Sequence, residues 1–446
     1  MTLPRARSPM PTAADDLTLA CRFAFPVEGD PVPDARVTIR SGRILAVEPA
    51  APGTRAADID LGNIAILPGF VNAHTHLELS PLGGEPDRDD PESWPEDEID
   101  WLRRVIAHRR DRAAEALRSA VDRNLDEAIR AGTTLLADTA TAGLSWPAVS
   151  AAPLRAVVFA ELIGLRRMRG LETNRHAWDW IGSIGPAEQV VANARPGLSP
   201  HAPYSTAGWL YHRSASSGMP LSTHLAELPE ELELLRSRSG RLRRFLEDLG
   251  AWDDEWEPLS PEPADYVRQG ALRQADWIIA HGTYLEPDDF WQLRPEAAPD
   301  GHRVAVAYCP RTHARFGHRP HPFRQMLEHG VVVCLGTDSR ASAPSLAILD
   351  EIRFLRRRDP SLSGQLLLTM GTLFGAWALR ADTVTGSLKP GKSADLALVP
   401  LPDRDDADPY SLLLDSDLPV AASCFEGHFR PNPDWPPGAD LPSSPF

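Results

Sequence analysis

The sequence predicts an α/β fold: a closed (β/α)8 TIM-like barrel with a small sheet domain built from both ends of the chain. Two observations predict this fold. Eight short apolar runs, separated by helical stretches, follow one another through the middle of the chain. Short β-rich segments with alternating polarity flank this region at both ends.

The apolar runs of the middle region are continuous, which is typical of parallel strands buried on both faces. Between them, the segment 111–131 has apolar residues every three or four positions, as an amphipathic helix does. Eight such units favour a closed barrel. An open doubly wound sheet is the alternative, but it usually carries a Gly-rich phosphate loop after its first strand, and the sequence has none there. The runs are 64–71, 133–137, 154–160, 197–199, 221–223, 277–280, 304–308 and 331–335.

The two ends of the chain resemble each other in pattern. Segments 35–40 and 43–47 are rich in β-branched residues and flank the turn Ser41-Gly42, which predicts a hairpin. Segments 391–399 and 420–425 read as strands as well. We therefore expect residues 1–62 and 385–446 to form one sheet domain around a barrel of residues 63–384.

Composition excludes several classes of partner. The chain has 446 residues and a net charge of −16, which argues against nucleic acid and anionic membranes as partners because both need a basic face. No apolar stretch approaches the length of a membrane span, and the arginines near the N-terminus are not followed by a continuous apolar run. The four cysteines are far apart in sequence, which predicts neither a disulfide framework nor a zinc ribbon. These features predict a soluble cytoplasmic protein.

Polar residues follow the apolar runs at the strand ends, where a barrel of this kind carries its active site. His74 and His76 end the first run, and because side chains alternate along a strand, both point the same way about 7 Å apart along the backbone. Two imidazoles presented together suit a divalent metal ion. The other polar residues are His201 after the fourth run, His224 after the fifth, His281 after the sixth and Asp338 after the eighth.

These residues lie in motifs that resemble the amidohydrolase superfamily, in the branch containing guanine deaminase, cytosine deaminase and the triazine hydrolases. The resemblance runs from about residue 35 to about residue 430, and it implies a distorted barrel with a composite β-sandwich made from both termini. Within the branch, the motifs look most like the bacterial aminodeoxyfutalosine deaminases of an alternative menaquinone route. The matching stretches are Pro68-Gly-Phe-Val-Asn-Ala-His74-Thr-His76, Ser199-Pro-His201-Ala-Pro-Tyr-Ser205, Thr223-His224-Leu-Ala-Glu227, Ala280-His281-Gly282, Leu335-Gly-Thr-Asp338-Ser339 and Gly386-Ser-Leu-Lys-Pro-Gly-Lys-Ser-Ala-Asp395-Leu.

The resemblance implies a hydrolytic deaminase of an aminated purine or adenine nucleoside, which releases ammonia through attack of a metal-bound hydroxide. Its metal ligands would be His74, His76, His224 and Asp338, a set that suits one zinc ion, with ferrous iron as the alternative. Asp338 would also accept the proton of the attacking water. Glu227 matches the shuttle that protonates a ring nitrogen and then the leaving amine. His281 resembles the residue that polarises the attacking water or the tetrahedral oxyanion.

A single metal ion is expected because of the lysine content. Two-metal members of the superfamily usually bridge their ions with a carboxylated lysine at the end of the fourth strand. The only lysines here are Lys389 and Lys392, outside the predicted barrel. A glutamate or cysteine bridge stays open as the rarer alternative.

Four further residues are predicted to contact the substrate: Glu78, His201, Ser339 and His313. Glu78 lies two residues beyond His76 and should face the pocket; a helix-start acid is the alternative. His201 matches a histidine that contacts the substrate in adenosine-type deaminases. His313 belongs to a histidine- and arginine-rich segment, 311–321, that departs from the Ser-Asn pair of many relatives; we expect it over the site, with a surface loop as the alternative.

Other interpretations compete with these. Glu227 begins the charged helical segment 227–244, so a solvated helix face is its alternative role, and the arginines of that segment are more typical of a solvated face than of a substrate site. A hydrolase of C–Cl or C–N bonds on a triazine-like ring would use the same metal ligands, and the alternative substrates include guanine, adenosine and methylthioadenosine. A non-catalytic relative would typically have lost metal ligands. Dimerisation is expected from the resemblance alone.

Overall fold

The computed structural model describes residues 16–51, 56–82, 97–185, 193–268, 275–295, 301–405 and 408–433. Its strands are β1 Leu17–Ala24, β2 Val32–Arg40, β3 Arg43–Pro49, β4 Ile59–Asp60, β5 Ile64–Pro68, β6 Phe70–Thr75, β7 Thr133–Ala140, β8 Arg155–Leu162, β9 Ala194–Pro200, β10 Leu221–Leu225, β11 Trp277–His281, β12 Val304–Tyr308, β13 Val332–Leu335, β14 Leu396–Pro400, β15 Ala422–Phe425 and β16 His428–Pro431.

The helices of the same ranges connect these strands or pack on them. They are α1 Glu98–Asp111, α2 Ala114–Arg130, α3 Trp146–Ala151, α4 Arg167–Ser183, α5 Gly208–Ala215, α6 Pro229–Ser237, α7 Arg241–Asp248, α8 Asp265–Arg268, α9 Pro287–Phe290, α10 Pro310–Phe316, α11 Phe323–Glu328, α12 Ile348–Arg358, α13 Gly364–Met370, α14 Leu373–Ala378 and α15 Pro409–Leu414. None of the helices in the described ranges combines the length and apolar character needed to cross a bilayer.

The middle of the chain forms the predicted barrel. Strands β6 to β13 pair in sequence order, and all of these pairs are parallel. A parallel bridge between Thr75 and Asp338 connects the end of β6 with the segment after β13, so the sheet is nearly closed. The last seven predicted runs each lie on one of the strands β7 to β13, apart from a residue at some ends. The (β/α)8 prediction is thus confirmed.

The first predicted run, 64–71, is wrong as a single strand, because it divides between the two sheets. Residues Ile64–Pro68 form β5, which pairs antiparallel with β14 in the terminal sheet, and the barrel begins only with β6. The change occurs at Gly69, where a Cβ atom would lie 2.0 Å from Thr134 Oγ1. Only glycine allows the chain to pass this close to β7, and the sequence pattern alone does not show that contact.

Both ends of the chain share the second sheet, as predicted. Its strands run in the order β16, β15, β14, β5, β1, β2 and β3, and β4 pairs with β1. The predicted hairpin joins β2 and β3 through Ser41 and Gly42, both with positive φ. A separate apolar core lies within this sheet and includes Leu19, Val37 and Leu396.

The predicted helix 111–131 begins later than expected. Helix α1 ends at Asp111, and Arg112 has an extended backbone, so α2 starts only at Ala114. The regular spacing of apolar residues nevertheless continues across this break, because α1 and α2 each bury one side. The last turn of α1 thus lies beside the carboxyl ends of the barrel strands, and it contributes an arginine to the site described below.

Candidate active site

Three histidines converge at the carboxyl ends of the barrel strands. His74 lies on β6, His76 directly follows that strand, and His224 lies on β10; all three are buried. Their candidate ligand atoms lie within 4.8 Å of one another, and His76 Nε2 is 3.1 Å from His224 Nε2. Two nitrogens on one tetrahedral zinc ion would be about 3.3 Å apart, given zinc–nitrogen distances of about 2.0–2.1 Å. The spacing suits a shared ion.

Asp338 completes this group from the segment after β13, which lies next to the end of β6. It follows β13 with a left-handed backbone (φ 56°), and its N–H donates to the carbonyl of His74 at 3.0 Å. One carboxylate oxygen, Oδ1, lies 3.9 Å from both His74 Nε2 and His76 Nε2. The other, Oδ2, accepts a hydrogen bond of 2.6 Å from Ser342. Burial raises the pKa of Asp338 to about 7.

The protonation of the histidines fits a metal ion. Burial lowers the pKa of His74, His76 and His224 well below the ordinary value, so all three are neutral and can present a lone pair. His224 Nδ1 lies 3.0 Å from the carbonyl of His201, which can only accept, so the proton sits on Nδ1 and Nε2 stays free for a ligand bond. His74 Nε2 is buried without a hydrogen-bond partner among the described residues.

An unpaired buried nitrogen costs free energy that a bound cation would recover. Three imidazole nitrogens and one carboxylate oxygen are donors that zinc and ferrous iron both accept. The residues present therefore fit one divalent ion.

A glutamate–histidine pair lies next to the histidine cluster. Glu227 Oε1 is 3.1 Å from His281 Nε2, and both side chains are buried. The fold brings them together because β10 and β11 are neighbouring parallel strands on which Leu225 is opposite His281. Burial, followed by the charge of Glu98, raises the pKa of Glu227 well above its usual range. Burial lowers the pKa of His281, so the pair consists of a neutral imidazole and a carboxyl that holds a proton readily.

His201, at the end of β9, forms the border between this cluster and a cavity. Its ring centroid is 4.6 Å from that of His224, and its Nδ1 lies 2.7 Å from Ser205 Oγ. Burial lowers the pKa of His201 to about 3, which keeps the ring neutral. His201 thus lies between the histidine cluster and the cavity, and its contact with a substrate stays a prediction.

Glu78 is buried in a turn after β6, and no helix begins at this residue in the described part of the chain. Its carboxylate accepts a hydrogen bond of 2.7 Å from Thr141 Oγ1 and pairs with Arg109 Nε at 2.9 Å. Arg109, in the last turn of α1, was not predicted. It also pairs with Glu161 at 3.0 Å, and its Nη2 lies 3.4 Å from His76 Nδ1. Contact of Glu78 with a substrate stays a prediction, and the observed contacts show a carboxylate fixed by an arginine.

Glu161 is a second site residue that the sequence analysis missed. It lies near the end of β8, and its Oε1 is 3.9 Å from both His76 Nδ1 and His201 Nε2. A signal was available, because Glu161 directly follows the run 154–160 just as the predicted histidines follow theirs. For Arg109 no such signal exists, because a helical arginine is ordinarily solvated.

Ser339 and His313, both predicted to contact the substrate, differ in their surroundings. Ser339 is fully buried beside Asp338, and its Oγ lies 3.3 Å from the N–H of Ala341. His313 lies on α10, where its Nε2 donates to the carbonyl of Arg319 at 2.8 Å and its Nδ1 is 3.4 Å from Tyr308 Oη. Both roles stay predictions.

The rest of segment 311–321 partly approaches the site. His321 Nε2 donates to the carbonyl of His281 at 2.7 Å, and His318 Nε2 lies 3.0 Å from Glu98 Oε2. Arg311, by contrast, is buried and pairs with Glu351 of α12 at 2.7 Å. In the other arginine-rich segment, four arginines pair with carboxylates at the surface, as a solvated face does: Arg236 with Glu262, Arg238 with Glu257, Arg241 with Asp97 and Glu230, and Arg243 with Glu247.

A cavity of about 420 Å³ extends from His201 and Arg109. Its walls are mainly apolar and are formed by α1, by the loop after β8 and by α7, including Val105 and Phe245. Arg166 also lines it and is exposed, with its Nε donating to the carbonyl of Trp252 at 2.8 Å. This cavity has room for a substituent larger than the reacting group itself.

Comparisons with known proteins agree with this geometry. A model of the amidohydrolase family matches residues 65–424. The 5-methylthioadenosine/S-adenosylhomocysteine deaminase of Moorella thermoacetica is 29% identical over 398 residues, which cover 84% of this chain and 83% of that protein.

Two solved structures are also similar. The aminofutalosine deaminase of Helicobacter pylori, in complex with methylthio-coformycin, has a TM-score of 0.76 at 19% identity and covers 93% of this chain and 100% of its own. An adenosine deaminase of Xanthomonas campestris with bound zinc has a TM-score of 0.73 at 22% identity, with 94% of this chain and 93% of that chain covered. At these identities the likeness concerns the fold.

Proposed function

This chain belongs to the amidohydrolase family and is a hydrolase of carbon–nitrogen bonds in cyclic amidines, and we propose that it is a zinc-dependent deaminase of an adenine nucleoside. The observation that carries the proposal is the position of the Glu227–His281 pair beside three neutral histidines and Asp338. The curated relatives with this family's fold include deaminases of 5-methylthioadenosine and S-adenosylhomocysteine.

The chemistry of deamination assigns a role to each group. A divalent ion held by His74, His76, His224 and Asp338 would lower the pKa of the attacking water towards neutrality. Glu227, as the acid, donates its proton to the ring nitrogen next to the amino-bearing carbon, while Asp338 accepts a proton from the water. His281 stabilises the oxygen as charge develops on it.

The second half of the reaction returns both carboxyls to their starting states. Glu227, now ionised, takes the remaining proton of the added hydroxyl and passes it to the amine. The carbon–nitrogen bond breaks, ammonia leaves and the carbon keeps the oxygen as a carbonyl. Asp338 then returns its proton to Glu227. Of the four hydrogens that the amino group and the water supply, three are on ammonia at the end and the ring nitrogen has gained one.

The cavity beside His201 supports a substrate with an apolar arm. Its volume of about 420 Å³ and its apolar walls suit an arm on the ribose, and the exposed guanidinium of Arg166 suits a carboxylate at the end of that arm. Aminodeoxyfutalosine, an adenine nucleoside that bears a benzoate, has both features. We therefore name its deamination, a step of menaquinone synthesis, as the specific activity, with methylthioadenosine, adenosine and guanine as alternative substrates.

The test is a substrate panel with defined metal content. The protein is purified, its zinc and iron are quantified, and ammonia release is followed with aminodeoxyfutalosine, methylthioadenosine, adenosine and guanine. One metal ion per chain and fastest release from aminodeoxyfutalosine is the expected result, with Glu227→Gln as the inactive control. If ammonia release is fastest from another compound of the panel, that compound is the substrate and the proposed mechanism stands. Bound metal without ammonia from any of them would contradict the deaminase proposal, and halide release from triazines would then favour the alternative hydrolase. Sedimentation of the same sample tests the predicted homodimer.

A further inference from the structure

The carbonyl of His281 lies just past the ladder between β11 and β12, whose last residue pair is Ala280 with Ala307. The N–H of the same peptide unit, that of Gly282, donates to the carbonyl of Leu225 on β10 at 3.0 Å. Since the N–H and the C=O of a trans peptide point in opposite directions, the His281 carbonyl faces away from β10. A buried carbonyl at this position needs a donor from outside the sheet.

His321 supplies this donor. It lies between α10 and α11 and is buried, with its Nε2 2.7 Å from the carbonyl oxygen of His281. The N–H of Phe323 donates to Nδ1 of the same ring at 3.0 Å, so Nδ1 carries no proton and Nε2 carries the one that it donates. Burial lowers the pKa of His321 to about 3, in agreement with a neutral ring. The ring also stacks on Tyr308 with the centroids 3.9 Å apart, and these contacts fix its orientation.

The backbone of His281 is in a conformation that needs such support. Its φ of 67° lies in the left-handed region, which is unfavourable for a residue with a Cβ atom. This turn of the chain sets the direction of the imidazole, whose Nε2 lies 3.1 Å from Glu227 Oε1. If the backbone of His281 relaxed to an extended conformation, its Cβ atom would move and its ring would leave Glu227.

We propose that His321 is a positioning residue for deamination, which holds the carbonyl of His281 and thereby keeps the His281 imidazole beside Glu227. The inference rests on the proposed role of His281, which stabilises the oxygen as charge develops on it. His321 touches the backbone of His281 and acts through that residue. The proposal also gives a function to the segment 311–321, which departs from the Ser-Asn pair of many relatives.

The test compares His321→Phe, His321→Gln and His329→Phe in the zinc-loaded enzyme. Phenylalanine keeps a ring that can stack on Tyr308 but removes both hydrogen bonds of His321. Glutamine keeps an N–H donor for the carbonyl. His329 is the control, because it is exposed directly before β13 and its Nδ1 donates to the carbonyl of Gln325 at 2.7 Å. The same substitution there removes a hydrogen bond between a histidine and a carbonyl at the amino ends of the barrel strands.

Metal content is determined for every variant, together with kcat and KM for ammonia release. His321→Phe should lower kcat about tenfold to a hundredfold and leave KM near the wild-type value, because His281 stabilises charge that develops in the transition state. His321→Gln should recover most of this loss, and His329→Phe should keep the wild-type kcat. Metal content should stay at the wild-type value throughout, because His321 is not among the proposed ligands.

A second measurement needs no substrate. Long-range proton–nitrogen NMR spectra of the protein with isotope-labelled histidines report which ring nitrogen carries the proton. In the wild type, His321 should carry its proton on Nε2. The ring signals of His281, identified by their loss in His281→Asn, should shift in His321→Phe and return towards their wild-type positions in His321→Gln.

A proton on Nδ1 of His321 in the wild type would overturn the proposal, even if no variant of this residue folds. Unchanged kcat or unchanged His281 signals in His321→Phe would overturn it as well. So would an equal loss of kcat in His321→Gln or in His329→Phe, or loss of metal from His321→Phe. Failure of the deaminase proposal would appear instead as absent ammonia release in the wild type, while the NMR spectra still test the contact between His321 and His281.

Discussion

The loop that carries Glu227 is held by another glutamate, and this contact gives a quantitative prediction. Glu231, fully buried on α6, accepts a hydrogen bond from the N–H of Ala226 at 3.1 Å and from the N–H of Glu227 at 3.2 Å, one on each carboxyl oxygen. Ala226 has a positive φ of 49°, which is unfavourable for alanine. The two hydrogen bonds therefore hold a strained turn directly after β10.

The substitution Glu231→Gln replaces one of these acceptors with an amide NH₂, which cannot accept from a backbone N–H. One buried N–H is left unpaired, and the free energy of unfolding should fall by about 1–3 kcal/mol. Because the same turn positions the Glu227 carboxyl, kcat should fall by about tenfold to a hundredfold. The proposed metal ligands lie elsewhere, so the metal content should not change.

The assay combines denaturant unfolding, metal analysis and the kinetics of ammonia release. Glu230→Gln is the matched control, because Glu230 neighbours Glu231 on α6 but forms a surface pair with Arg241 at 3.1 Å. Its effect on the free energy of unfolding should stay within about 1 kcal/mol. Wild-type kcat and wild-type unfolding in Glu231→Gln would refute the reasoning, since the turn would then hold its shape without the second acceptor.

Three further substitutions separate the roles of the remaining groups. Glu227→Gln should keep the metal ion and lower kcat at least about a hundredfold, as loss of a general acid does; loss of metal, or retained activity, would contradict the assignment. His224→Ala should reduce both metal content and activity, and a variant that binds metal at the wild-type level would argue against His224 as a ligand. Arg155→Ala should lower the free energy of unfolding by about 3 kcal/mol, because it leaves the fully buried carboxylate of Asp395 without its cation. The exposed pair of Arg430 with Asp126 is the control, and loss of that pair should lower the free energy of unfolding by less than about 1 kcal/mol.

Much of the fold and of the histidine cluster was predictable because the sequence signals for them are local. A parallel strand buried on both faces is a continuous apolar run, and the residue after it lies at the carboxyl end of the barrel. His74, His76, His224, His281 and Asp338 all appear in the sequence at such positions, so their proximity follows from strand order alone.

Other parts of the site depend on contacts between distant segments. Arg109 and Glu98 lie at opposite ends of α1, and the sequence shows only that both are polar residues of a helix. Their burial is decided by how α1 packs across the barrel mouth. Glu231 likewise is one of several acids in a charged segment, and only the turn at Ala226 gives it donors.

The class of fold, the order of the strands and the polar residues at their ends can therefore be derived from the amino-acid sequence, since each depends on periodicity within a few residues. The tertiary structure alone decided where the first apolar run divides, because the close approach of Gly69 to Thr134 joins segments 65 positions apart. It also decided which acids surround Glu227. Burial and charge pairing are properties of the assembled barrel, and a carboxyl acquires its proton affinity only from the neighbours that the fold places around it.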